Sequence, residues 1–146
     1  MNILQLAILL FIVLEGLNVI ILYFYPGTRL GNAVGVFNGY EASKKDAEVH
    51  ALINYLINWV AGVKLIFIAL LIVILTTAAE NTQLLAVVAI IASTLSFYWR
   101  LYPAIKQLDG KGQLTPVGYS KTLNYMIAGI LLVFTAALVL YLLVNP

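Results

Sequence analysis

Four apolar runs dominate the chain: Ile3–Phe24 and residues 52–75, 84–105 and 117–144. Each has the about 20 residues that a helix needs to cross about 30 Å of hydrocarbon. Together they consume most of the 146 residues, leaving little for a soluble domain. Composition agrees: 63% of residues are hydrophobic and 10% charged, whereas soluble domains are near half apolar and a quarter charged. The sequence therefore predicts an all-α fold, a four-helix transmembrane bundle forming a single integral membrane domain over residues 1–146. The first run has no basic residue ahead of it, carries Glu15 in its middle and lacks a small-residue cleavage pattern, so it reads as a permanent helix and not a signal peptide.

Several functional classes fall away on the same numbers. There is no cysteine for a disulfide framework, and a net charge of +2 is too small and dispersed for a nucleic-acid face. One histidine and no cysteine cannot build a zinc site or an intrachain bis-histidine haem, and a haem shared across a two-fold axis would use His50 of each copy. No cofactor or metal site is expected. The DGKGQLTP stretch lacks the acids of a calcium loop and ends at Ser120 where glutamate is required.

The connections are unequal. Residues 76–83 form a tight polar turn that makes the second and third spans an antiparallel hairpin, while residues 25–51 are long enough to hold structure of their own. In residues 109–116, Asp-Gly and Lys-Gly signal turns, and Thr115 before Pro116 predicts an N-cap for the fourth helix. Ser43 with Asp46 three residues on predicts a capping box that starts the second helix near Lys44. Arg29, Lys44, Lys45, Arg100, Lys106, Lys111 and Lys121 all lie in or beside the first and third connections. The positive-inside rule then places those connections in the cytoplasm of a bacterial or archaeal cell and both termini outside its plasma membrane.

Gly27, Gly31, Gly35 and Gly39 recur at four-residue spacing in the first connection. On a short interfacial helix they would form a ridge for close packing against another membrane helix. Four glycines also weaken a helix by about 1 kcal/mol each relative to alanine, and Asn38-Gly39 is a turn signal, so an irregular glycine loop is the equal alternative.

Ionisable groups inside a bilayer cost about 2.5 to 3.5 kcal/mol each and normally face a partner or a wet cavity. At 1.5 Å per residue, Glu15, Lys64 and Ser96 lie at about 17 to 18 Å from the end carrying the termini, and Thr135 at about 14 Å. Glu15 and Lys64 have opposite charge at one depth, which predicts an ion pair. Asn18, Asn58 and Arg100 make a second layer at about 23 to 26 Å, with His50, Asn54 and Asn124 beyond it. A helical wheel gathers His50, Asn54, Asn58, Ala61 and Lys64 on one stripe of the second span, and Ser93, Ser96 and Arg100 on one of the third. Ser120, Asn124, Ala128 and Thr135 do the same on the fourth. The end carrying the termini is almost wholly apolar, so it reads as closed.

These positions predict a polar vestibule open to the cytoplasm that binds or helps move a small polar or lipidic ligand. Glu15 and Lys64 would form its floor, Asn18, Asn58 and Arg100 its walls, and His50, Asn54 and Asn124 its mouth. The partners implied are the lipid bilayer, that ligand, and a second copy or another membrane protein. Two alternatives stay open: an accessory subunit that docks a partner through the glycine ridge and polar faces, and an enzyme acting on a lipid at the interface. A lone intramembrane carboxylate is weak evidence for catalysis, and no catalytic residue is assigned.

Overall fold

A computed structural model describes residues 1–145. Six α-helices follow one another: α1 (Ile3–Phe24), α2 (Asn38–Ser43), α3 (Ala47–Thr77), α4 (Glu80–Leu95), α5 (Phe97–Gly110) and α6 (Tyr119–Val144). A single 3-10 turn, Val34–Val36, precedes α2. Four helical segments are long and apolar enough to cross a membrane, with α4 and α5 together making the third. The fold is the expected four-helix bundle, with one short helix, α2, between the first two spans.

Helix ends follow capping chemistry more than the sequence patterns alone indicate. Asn2 and Gln5 form a reciprocal capping box on α1. The cap of α3 is Asp46, whose carboxylate accepts from the Glu48 and Val49 amides, both at 3.1 Å. Ser43 is not the cap: its hydroxyl donates to the Tyr40 carbonyl at 2.7 Å and lies 2.9 Å from His50 Nδ1. Nor does Thr115 cap the last helix. Gly118, at φ +84°, opens α6, and Asp109 from the end of α5 accepts from the Gly118 and Ser120 amides and the Ser120 hydroxyl. The third span breaks at Ser96, whose hydroxyl donates back to the Ser93 carbonyl at 2.6 Å, while Pro103 lies within α5. Such back-bonding competes with the regular helix ladder.

The two ends of the bundle are built differently. Around Phe134, buried side chains from α1, α3, α4 and α6 interlock, among them Ile8, Leu71 and Val87. The polar caps of this end converge on Glu80, which accepts from Asn2 Nδ2 at 3.2 Å and from the Tyr141 hydroxyl at 2.9 Å. Toward the other end a second cluster, Val19, Leu22, Tyr40, Ile57, Ala61 and Ile68, unites only α1, α2 and α3. There α5 packs on α6. The first and third connections are joined across this end by an isolated antiparallel bridge between Phe37 and Leu114. The Asn38 amide donates to Gln113, the Thr115 amide to Val36, and the Thr115 hydroxyl to Asn38 Oδ1 at 2.8 Å.

The four evenly spaced glycines do not share a helix, so no packing ridge forms. Gly27 precedes the 3-10 turn, Gly31 sits in a tight turn at φ +55°, Gly35 is inside the 3-10 turn and Gly39 lies in α2. Positive φ and the need for close approach explain two of them. A side chain at Gly31 would meet the Asn18 amide oxygen, and one at Gly35 would meet the Gly27 and Thr28 carbonyls.

Candidate functional site

Glu15 lies in the middle of α1 and Lys64 in the middle of α3, helices that pack along much of their length. The Lys64 ammonium donates to Glu15 Oε2 as an ion pair, with side-chain exposures of 22% and 19%. The pairing puts two opposite charges at one level, which is the cheapest way for either to remain inside an apolar bundle. Their residual exposure is into a cavity, whose lining includes both.

That cavity has a volume of about 690 Å³, within the usual range of small-molecule sites. It occupies the space where α5 and α6 are not tied into the α1–α3 cluster. Its polar rim is Glu15, Lys64, Ser93, Thr94 and Ser96 together with Asn32 from the first connection. The rest is apolar: Phe97, Leu101, Ala104, Ile105 and Leu108 from α5, and Leu123, Ile127 and Ile130 from α6. The break at Ser96 matters here, because it marks where the polar stretch of α4 gives way to the apolar stripe of α5. Phe37, part of the bridge to the third connection, lines the cavity as well.

The other polar residues singled out by depth take up different places. Asn18 serves the first connection, accepting from the Asn32 amide at 3.2 Å. Asn58 and Arg100 are exposed, and Arg100 lies 5.2 Å over the Trp99 ring on the bundle's outer surface. His50 packs against Tyr40, 5.5 Å between ring centroids, and bonds Ser43. Asn54 and Asn124 are half-buried, and Thr135 is exposed. None of these residues lines the cavity, so its walls are apolar where asparagine and arginine walls were expected.

The reason is angular. At about 100° per residue, Asn58 falls about 100° from the centre of the stripe that α3 buries through Ile57, Ala61, Ile68 and Leu71. Asn124 is about as far from the Leu123, Ile127 and Phe134 stripe of α6, and Arg100 from the Leu101 and Ile105 stripe of α5. A wheel drawn broadly enough to collect every polar residue straddles the true inner faces. Glu15, by contrast, is on the same stripe as Leu4, Ile8, Val19 and Leu22. Sequence reasoning passed over Thr94 and Asn32, and it missed the α5 stripe. The i, i+4, i+8 spacing of Phe97, Leu101 and Ile105 is its signal, obscured by the intervening Trp99 and Arg100.

The charged residues of the connections sit apart from this site. Glu41 and Lys44 pair at 2.7 Å on the surface, and the Glu41 carboxylate holds the Lys44 ammonium above the ordinary lysine range. No group of histidine, cysteine and carboxylate side chains that could hold a metal occurs among the described residues.

Comparison with known proteins brings no relative to bear on the site: no family model, no curated protein and no solved structure matches the chain. Four helices long and apolar enough to cross a bilayer mark the chain as an integral membrane protein.

Proposed function

We propose that this protein binds an amphiphilic, lipid-like molecule inside the bundle, with the polar end of the ligand at Glu15 and Lys64 and its apolar body along α5 and α6. The observation that supports this reading is the composition of one cavity, a single ion pair, three hydroxyl side chains and Asn32 in an otherwise aliphatic and aromatic chamber. A small polar solute would leave the Leu101, Ile105 and Ile127 walls without apolar partners, whereas an apolar chain there packs against them. The polar end gains hydrogen-bond partners that the hydrocarbon outside does not supply. Binding is the role the chamber fits; movement of the ligand across the bilayer would need a path through the packed end around Phe134. In the orientation we propose, the bridged connections with Lys44, Lys45, Lys106, Lys111 and Lys121 face the cytoplasm, and the Glu80 end faces outward.

A photoactivatable monoacylglycerol, offered to the protein in lipid nanodiscs, tests the reading. Saturable labelling should map to α5 and α6 residues of the chamber. Glu15→Gln should weaken it about tenfold, and Ile127→Trp, which fills the chamber, should abolish it. Labelling that is unsaturable, or indifferent to both substitutions in protein that still elutes as a single species, would overturn the proposal.

A further inference from the structure

A second, smaller cavity of about 350 Å³ also has Lys64 in its lining. It is formed by Leu22 of α1, by Val34 of the first connection, and by Ile53, Leu56, Ile57 and Val60 of α3. Lys64 and Asn32 line both cavities, and they are the polar residues common to the two. Glu15 and the hydroxyl residues belong to the larger one alone. Two apolar chambers thus share one polar junction.

We infer that the ligand is a two-chain lipid with a net-neutral headgroup, of the diacylglycerol type, seated with its head at Lys64 and Asn32 and one acyl chain in each chamber. This rests on the amphiphile-binding reading and specifies its substrate class. A single-chain amphiphile would fill the larger chamber and leave the smaller one to be occupied by bulk lipid. A branched ligand accounts for both with one head. The charge of the head follows from the junction: Glu15 and Lys64 already neutralise one another, so an added ionic head would leave an unpaired charge beside apolar walls, while hydroxyl and ester groups add hydrogen bonds at no net charge. The two chambers also differ in which elements wall them. The smaller one is walled by α1, α3 and the first connection, so filling it does not require α5 to move.

Photoactivatable diacylglycerol, monoacylglycerol and phosphatidic acid are compared as labels of the protein in nanodiscs. Diacylglycerol should label both the α6 chamber and the Ile53 and Leu56 region of α3, and bind about tenfold or more tighter than monoacylglycerol, since its second chain occupies a chamber that a single chain does not fill. Phosphatidic acid should bind more weakly than diacylglycerol. Val60→Trp, at a half-exposed wall of the smaller chamber, should bring diacylglycerol down to the monoacylglycerol level and leave monoacylglycerol labelling unchanged, which also shows the variant to be folded. Equal affinity for one and two chains, a preference for phosphatidic acid, or loss of both neutral lipids in Val60→Trp would overturn the two-chain inference while monoacylglycerol binding dependent on Glu15 upheld the broader reading. Failure of every lipid to label saturably would overturn both.

Discussion

A carboxylate halfway along an apolar helix has few tolerable surroundings, and Glu15 has one of them: an ammonium on the neighbouring helix at the same level. Removing one partner from such a pair strands the other. Lys64→Met should therefore lower stability by about 3 to 5 kcal/mol, and the Glu15→Gln/Lys64→Met double variant should recover most of that loss. Thermal unfolding of Lys64→Met, Glu15→Gln and the double variant in mild detergent measures it; additive losses would show that the two side chains act independently. This pairing was legible in the sequence because depth and charge sign depend only on counting along each helix. The placements of Asn58, Arg100 and Asn124 were not, because each sits about a quarter-turn from the buried stripe, and polar character alone does not distinguish an inner face from its edge.

At the scale of the elements, the glycines of the first connection divide by what surrounds them. Gly35→Ala would drive a methyl into the carbonyls of Gly27 and Thr28 and should cost about 1 to 3 kcal/mol, with the first connection the first part to open in hydrogen exchange. Gly39→Ala, in α2 with open space around it, should be neutral or slightly stabilising. If both substitutions behaved alike, the close approach inside the connection would be wrong. Regular spacing drew these residues together in the sequence, yet the chain uses them for turns and contacts within one loop. A four-residue period is shared by a helix ridge and by a run of tight turns, and Asn38-Gly39 and Pro26-Gly27 were local evidence for the latter. The number and extent of the long helices were plain from hydropathy. The start of α6 depended on a remote partner, Asp109, which caps it from the helix before it, and no local pattern carries that information.

For the whole molecule, the helices order the charges onto one end and the Glu80 cluster onto the other. The absence of cysteine makes the proposed orientation directly measurable. In intact cells an impermeant thiol reagent should label Asn81→Cys and spare Lys111→Cys, and permeabilised cells should label both. The reverse pattern would invert the topology and place the chamber's polar junction nearer the outer leaflet.

The Phe37–Leu114 bridge gives the bundle the mechanics of a clothes-peg. Its fulcrum is the interlocked end around Phe134, and its jaws are the α1–α3 pair on one side and the α5–α6 pair on the other. A strap of main-chain bonds between residues 36–38 and 113–115 ties those jaws together. The girth of the proposed ligand would accordingly be limited by the reach of that strap, and lengthening the third connection would retune it without touching a lining side chain.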